Sequence, residues 1–254
     1  MKRYHPWQVC LVLFITIFLV SPATTPCAAA GSPPAGALQC STPITQRYVV
    51  MDELRERLSL EYIREHYHLT PERPHIEPRI IVLHWTAIED FDRSYNCMHA
   101  STLSTQRTDI AGASNLNVCA HFLVDRDGTI VQLLPLPYFA RHVIGLNFHA
   151  FGIENVGSDT LPLTDKQVAS NAAIIRCLLD QYPGIRHIIG HYEYLQIEDT
   201  PLFLEVDAAY RTKKIDPGED FMRKVRSKIK DLYDTGRLQD IDAIEKKGPA
   251  SPGK

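Results

Sequence analysis

Four-residue spacing of apolar side chains marks the first regular element of the chain. Leu54, Leu58 and Tyr62 recur between charged positions, and this pattern predicts a helix over residues 52–67. The apolar run IIVLH, residues 80–84, is continuous rather than alternating, which is typical of a short strand buried on both faces.

The middle of the chain predicts a hairpin and one further strand. Residues 121–126 and 129–134 flank Asp127-Gly128, a dipeptide that favours the tight turn of a β-hairpin. Residues 151–156 form another short run of the strand type.

The second half predicts two helices separated by a strand. Thr164, with Gln167 three residues later, is a capping-box pattern, and an apolar stripe continues from it to Tyr182. A short strand is predicted at residues 186–189, and a helix entered through a Pro-Gly pair at residues 219–233.

Strands and helices therefore alternate, which favours one α/β domain: a central mixed β-sheet flanked by helices. We place this domain at residues 47–235. The Pro-, Gly- and Ser-rich residues 31–46 are interpreted as a linker or an extended arm, and the polar residues 236–254 as a disordered tail.

The first 30 residues have the three parts of a secretory signal peptide. Lys2 and Arg3 precede an apolar run at residues 9–20, and Ala28 and Ala30 fit the small-residue cleavage pattern. The run is shorter than the roughly 20 residues that a membrane-spanning helix needs. We therefore expect a periplasmic or secreted protein with no stable membrane span after cleavage, and an uncleaved or lipid anchor stays as the alternative.

Cysteine content and charge add two constraints. Cleavage after Ala30 leaves cysteines at 40, 97, 119 and 177, and sequence does not choose among three pairings and free thiols. The formal net charge is −3 with no stripe of Lys and Arg outside the C-terminal region, so no nucleic-acid partner is expected.

Histidines are numerous, and three stand at ends of predicted strands: His84, His121 and His191. Side chains there project into the crevice where open α/β sheets place their sites. Solvated positions in a polar, proline-rich region are expected for His66, His68 and His75.

Five short segments occur in a recognisable order. They are IVLHWT at 81–86, AHFLVD with DGTI at 120–130, RH with Asn147 and GIE at 141–154, GH at 190–191, and KIDPG at 214–218. Together they resemble the type-2 N-acetylmuramoyl-L-alanine amidases, whose fold is shared with peptidoglycan recognition proteins. The resemblance covers about residues 78–225.

The resemblance implies a zinc site with ligands His84, His191 and Asp216. Such a two-histidine, one-carboxylate set leaves a fourth position for water, as catalytic zinc sites do. Structural roles are expected for three other histidines, His121, His149 and His187.

The resemblance also implies two catalytic residues outside the ligand set. Glu154 is expected to move the proton, and Lys214 to stabilise the negative charge that develops on the carbonyl oxygen. Lys214 and Asp216 are two residues apart and can face one pocket from an extended segment. His142 is expected to contact substrate, and Asn147 to support the same loop.

Two features depart from the family pattern. The segment between His191 and Asp216 is longer than in compact members, so this insertion could form a lid or a wall, and Asp199 or Asp207 stay as alternative ligands. Arg141 stands where the family more often has an aromatic residue, which leaves the preference for sugar or peptide open.

The sequence thus predicts a monomeric zinc amidase that cuts between N-acetylmuramic acid and L-alanine in peptidoglycan or muropeptides. The alternative is a non-catalytic peptidoglycan-binding protein, which would have no need of all five implied metal and catalytic residues. A zinc peptidase acting on the stem peptide is less favoured, because the chain has no H-E-x-x-H motif.

Overall fold

The computed structural model describes residues 35–247 and places six strands in one mixed sheet. The strands are β1 (Thr45–Gln46), β2 (Ile80–Trp85), β3 (Phe122–Val124), β4 (Ile130–Gln132), β5 (Ala150–Asn155) and β6 (His187–Gly190). Their spatial order is β1-β4-β3-β5-β2-β6. Strands β2, β3, β5 and β6 run parallel, whereas β4 is antiparallel to β3 and pairs with β1 at the edge. The predicted α/β class is confirmed.

Helices make up most of the remaining regular structure. Among the described residues they are α1 (Glu53–Tyr67), α2 (Phe91–His99), α3 (Asp165–Gln181), α4 (Glu219–Lys228) and α5 (Lys230–Asp234). The predicted helix start at Thr164 is confirmed, because its side chain and that of Gln167 form a complete capping box. The side chain of Asp52 likewise caps α1 by accepting a hydrogen bond from the backbone of Arg55.

Strand β2 is buried on both faces, as its continuous apolar run predicts. On one face, Ile81 and Leu83 join the core cluster that contains the buried apolar residues of α1, α3 and α4. On the other face, Ile80 and Val82 pack in a cluster with Phe203 and other residues of irregular segments. The insertion between β6 and α4 is therefore part of the packing around the central strand.

Two helices differ from the prediction. The single helix predicted over residues 219–233 is two helices, because the backbone at Ile229 leaves the helical region with φ −115° and ψ 21°. Helix α2 has no counterpart in the prediction, since nine residues give only a short stripe of Phe91, Tyr95 and Met98.

The segments that flank the predicted domain also pack against it. Residues 35–46 form an extended arm, in which Leu38 reaches the core and Cys40 forms a disulfide with Cys177 of α3. Of the tail predicted to be disordered, residues 236–247 are packed on the domain, because Leu238 is buried in the core and the backbone N–H of Gln239 donates to the Arg186 carbonyl at 2.8 Å. Residues 248–254 lie outside the described residues.

The predicted signal peptide, residues 1–30, lies outside the described residues. No helix within residues 35–247 is long and apolar enough to cross a membrane.

Of the four cysteines that follow the predicted signal peptide, Cys40 and Cys177 form the disulfide. Cys97 is exposed and Cys119 is buried, and both are free thiols.

Candidate metal centre and active-site pocket

The carboxyl ends of three parallel strands meet at one edge of the sheet. His84 lies near the end of β2, Glu154 near the end of β5, and His191 directly after β6. His84 and Glu154 are register partners, and Leu83 pairs with Gly190, the residue before His191. All three side chains line one pocket, where strand-end residues of an open sheet are expected to meet.

Side-chain atoms of His84, His191 and Asp216 form a nearly equilateral triangle. The two histidine Nδ1 atoms are 3.0 Å apart, and Oδ2 of Asp216 lies 3.2 Å from that of His84 and 3.1 Å from that of His191. Within the described part of the chain, this is the only group of three or more His, Cys, Asp or Glu side chains that lie close enough together to hold a metal ion. Asp199 and Asp207, the alternative ligands, are exposed and lie outside it.

Protons alone do not account for this triangle. A neutral imidazole nitrogen either donates or accepts, and a carboxylate oxygen only accepts. If the Nδ1 atoms of both histidines donate to Asp216, their two N–H groups face each other at 3.0 Å. If only one of them donates, the other Nδ1 atom and the Asp216 oxygen are two acceptors in contact at a similar distance. A cation among the three atoms satisfies all of them at once.

The spacing and the protonation states also fit zinc. Ligands about 2.0–2.1 Å from a tetrahedral zinc ion lie about 3.4 Å from one another, close to the observed contacts. Burial, reinforced by the repulsion that a charged His84 ring would exert, lowers the pKa of His191 to about 4, so this ring is neutral near pH 7. Burial opposes ionisation of Asp216, but His191 and His84 outweigh it and hold the pKa of the carboxyl well below its usual range.

His142, which is outside the ligand triangle, fixes the orientation of His84. Nε2 of His84 lies 3.0 Å from Nδ1 of His142, and Nε2 of His142 lies 3.3 Å from the Ala150 carbonyl. Burial, reinforced by the repulsion that a charged His84 ring would exert, holds the pKa of His142 well below its usual value, so His142 is neutral. The carbonyl only accepts, so His142 carries its proton on Nε2 and accepts the proton of His84 on Nδ1. The Nδ1 lone pair of His84 then faces the triangle.

The loop that carries His142 has its own support. Oδ1 of Asn147 accepts hydrogen bonds at 2.8 Å from the backbone N–H groups of His142 and Val143. His142 packs over the bare backbone of Gly152, where a Cβ would lie 2.7 Å from the ring nitrogen Nδ1. Both His142 and Asn147 line the pocket, and a contact of either with substrate stays a prediction.

Glu154 presents an unpaired carboxylate to the same pocket. Its Oε2 atom is buried and has no hydrogen-bond partner among residues 35–247. Burial, reinforced by the negative charge of Asp216, raises the pKa of Glu154 well above its usual value, against the opposing charges of Lys214 and Arg107. A carboxyl group with a raised pKa in a pocket is suited to exchanging protons near neutral pH. Lys214 lines the pocket as well.

The remaining histidines show one clear error in the sequence prediction. His66 is buried rather than solvated, because its ring contacts the Glu205 carboxylate at 2.9 Å. His68 and His75 are exposed, as predicted. The three histidines expected to be structural each contact a backbone carbonyl: His121 that of Tyr138, His149 that of Leu202, and His187 that of Gln239.

Part of the pocket comes from two irregular segments, of which only the insertion was expected to form a lid or a wall. The loop between α2 and β3 contributes Arg107 and Ile110, and the insertion contributes Tyr210 and Thr212. Neither segment has regular periodicity, so the one sequence signal was the unusual length of the insertion.

Comparison with models of known protein families identifies the family of this chain. A family model described as N-acetylmuramoyl-L-alanine amidase matches residues 61–219, which is more than half of the chain. The chain belongs to this family. The matched residues include all three members of the His/His/Asp triangle and both Glu154 and Lys214.

Individual relatives within the amidase family are moderately similar to this chain over about a third of its length. The chain is 41% identical over 91 residues to 1,6-anhydro-N-acetylmuramyl-L-alanine amidase AmpD of Escherichia coli K12, covering 32% of this chain and 49% of that protein. The corresponding protein of Haemophilus influenzae is 31% identical over 116 residues, covering 42% and 55%. The chain thus spans about half the length of the curated relatives it matches.

Two of the similar solved structures come from a bacterium and from a bumblebee. The solution structure of Citrobacter freundii AmpD aligns with a TM-score of 0.45 and 25% identity over 74% of this chain and 91% of that one. The structure of bumblebee PGRP-SA aligns with a TM-score of 0.46 and 16% identity over 78% and 97%.

Proposed function

We propose that this chain is a zinc-dependent amidase that hydrolyses the amide between N-acetylmuramic acid and L-alanine in peptidoglycan or muropeptides. The observation that carries the proposal is the triangle of His84, His191 and Asp216, which shares one pocket with Glu154 and Lys214. Membership of the amidase family supports the same reaction.

The ligand residues would hold the zinc ion through Nδ1 of His84, Nδ1 of His191 and a carboxylate oxygen of Asp216. When bound, zinc supplies Lewis acidity that polarises a carbonyl oxygen and lowers the pKa of water from 15.7 to about 7. His142 keeps Nδ1 of His84 free to bind by accepting the proton on Nε2.

Glu154 is proposed to carry the proton of the reaction. Its unpaired Oε2 atom can take a proton from the attacking water and later deliver it to the nitrogen of the leaving L-alanine. A general base needs no metal contact for this role, and Glu154 is not part of the ligand triangle. Its raised pKa makes the protonated form accessible in the second half of the reaction.

Lys214 is proposed to stabilise the oxyanion of the tetrahedral intermediate. Lys214 lines the pocket, and its positive charge opposes the rise in the pKa of Glu154 and adds to the fall in the pKa of His191. A fixed cation beside a developing negative charge lowers the barrier, because the charge requires no rearrangement at the moment of reaction.

We also propose that the protein acts in the periplasm or outside the cell. The disulfide between Cys40 and Cys177 supports this, because such bonds persist in oxidising compartments. The signal-like pattern of residues 1–30 points the same way.

Mass spectrometry of muropeptides incubated with the purified chain tests the proposed reaction. We expect a free peptide that begins with L-alanine, loss of activity on chelation, and recovery on addition of zinc. A matched His191→Ala variant should stay inactive after zinc is added. Muropeptide binding without cleavage would instead support a recognition protein, and products cut within the stem peptide would support a zinc peptidase.

A further inference from the structure

His66 is held between two groups that only accept hydrogen bonds. Its Nδ1 atom lies 2.9 Å and 3.0 Å from the two carboxylate oxygens of Glu205, and its Nε2 atom lies 3.0 Å from the Ala113 carbonyl. Both ring nitrogens must therefore carry a proton, and the ring is an imidazolium ion. Burial opposes this charge, but the hydrogen bonds to Glu205 and Ala113 outweigh burial and raise the pKa of His66 above its usual value.

Glu205 is tied to the same place by further bonds. Its side chain is fully buried, and Oε1 accepts a hydrogen bond at 3.0 Å from the backbone N–H of Asp207. The backbone N–H of Val206 donates to the carbonyl of His66 at 3.0 Å. The end of α1 is thus joined to the insertion by an ion pair and a backbone bond.

Arg141 joins the loop between α2 and β3 to the insertion. Its guanidinium donates to the carbonyls of Ile110, Ser114 and Leu116 at 2.6–3.0 Å, and to the Tyr210 hydroxyl at 3.0 Å. Within residues 35–247, no carboxylate forms an ion pair with this buried cation. The bonds of Arg141 therefore serve to fix neutral backbone and a hydroxyl group in place.

The segments that these cations join form one side of the pocket. We call residues 107–116 and 205–212 the pocket wall. The wall contributes Arg107, Ile110, Tyr210 and Thr212 to the pocket that also contains Glu154 and the metal ligands. The wall contains no helix or strand, so its position depends on packing and on side-chain bonds such as those of His66 and Arg141.

We propose that His66, Glu205 and Arg141 are positioning residues for substrate, which hold the pocket wall in the geometry that binds the muropeptide. The inference rests on the proposed amidase function for the identity of the substrate. His84 and Glu154 lie on β2 and β5, and the carbonyl of Asp216 accepts a hydrogen bond at 3.0 Å from the backbone N–H of Tyr192, outside the wall. We therefore expect the metal site and the proton-transfer group to keep their places when the wall loosens. The expected effect is on affinity for substrate rather than on the chemical step.

The direct test compares Glu205→Gln with the parent and with Glu65→Gln. Glu65 is a matched control, because it precedes His66 on α1 but is exposed and pairs with Arg64, outside the wall. For Glu205→Gln we expect KM to rise about tenfold, which corresponds to about 1.4 kcal/mol of binding, while kcat stays within about twofold and zinc content is unchanged. Glu65→Gln should match the parent in all three.

Hydrogen exchange supplies a readout that does not depend on the reaction. In Glu205→Gln, the backbone amides of Leu103, Arg107, Ile110 and Ala113 should exchange faster, while those of β2 and β5 should not change. An unchanged KM with unchanged exchange would overturn the proposal, as would a fall in kcat with KM unchanged.

Tyr210→Phe is a milder variant in case Glu205→Gln does not fold. It removes one hydroxyl bond to Arg141 and keeps the ring, so a smaller rise of KM with faster exchange over residues 107–116 is expected. No change in either would contradict the role of Arg141. If the parent does not cleave muropeptides, the proposed function fails, whereas hydrogen exchange and the muropeptide dissociation constant of each variant still decide whether the wall is held in this way.

Discussion

The Nε2 atom of His84 lies 3.0 Å from Nδ1 of His142, on the side of the ring opposite to the ligand triangle. His142 therefore decides which nitrogen of His84 carries the proton. A histidine ligand whose second nitrogen is fixed in this way binds metal more tightly than a free one. The contact depends in turn on Gly152, whose missing side chain leaves room for the His142 ring.

We predict that displacing His142 weakens zinc binding. In Gly152→Ala, the new methyl group would lie 2.7–2.9 Å from three atoms of the His142 ring and push it away from His84. Zinc affinity measured by competition with a chelator should fall about 10- to 100-fold. Gly112→Ala is a suitable control, because its methyl group would meet no atom within 4 Å. Equal affinity in Gly152→Ala and the parent would show that His142 does not support the ligand.

The buried ion pair of His66 predicts that stability depends on pH. Because the pKa of His66 is raised in the folded protein, its stabilisation is fully present below the unfolded value of about 6.5. The stabilisation is lost as pH rises through the folded pKa. We expect the unfolding free energy of the parent to exceed that of His66→Gln most at about pH 6, with a smaller difference at about pH 9. Urea unfolding at a series of pH values measures this, and a difference that grows with pH would refute the assignment.

Reduction of the Cys40–Cys177 disulfide should destabilise the protein. The bond joins residues 137 positions apart, so breaking it releases a large closed loop in the unfolded chain. A loss of about 2–5 kcal/mol in the free energy of unfolding is expected, because the open unfolded chain has more conformations. Denaturant unfolding with and without reductant gives the value. Cys177→Ser should have the free energy of unfolding of the reduced parent, both with and without reductant. If reductant lowered it further, the loss in the parent would not come from the Cys40–Cys177 disulfide alone.

Replacement of Lys214 should slow the reaction while the metal stays bound. Lys214→Met removes the charge proposed to stabilise the oxyanion, and a fall of about 10²- to 10³-fold in kcat is expected. The neighbouring Lys213 is exposed and does not line the pocket, so Lys213→Met should keep parent activity. Steady-state kinetics with zinc content measured on the same samples decides the matter. Similar kcat values for both variants would remove Lys214 from the mechanism.

Much of the sheet and of the strand-end placement could be predicted from the sequence alone. The apolar run before His84 fixes a strand that is buried on both faces, and residues that end such strands meet at one edge. Asp216 is different, because no periodic element carries it and its assignment came from the resemblance of the KIDPG segment. The structure brings it within 3.2 Å of both histidines.

Long-range polar contacts could not be predicted in this way. His66 lies in a helix with charged neighbours, and the residues that bury it are 47 and 139 positions away in irregular segments. The extended arm shows the same limit, since its composition is that of a linker while Leu38 and Cys40 attach it to the core. Periodicity reports the local face of an element, and it carries no information about which distant loop covers that face.

Zinc content and muropeptide products, measured together on the parent and on Glu154→Gln, test whether this chain is a zinc amidase that uses Glu154 to move the proton. Glutamine keeps the size of the side chain but cannot take the proton. We expect about one zinc ion per chain in both proteins and release of peptide with a free L-alanine terminus by the parent only. Cleavage by Glu154→Gln at the parent rate, or a parent that contains no zinc yet cleaves, would contradict it.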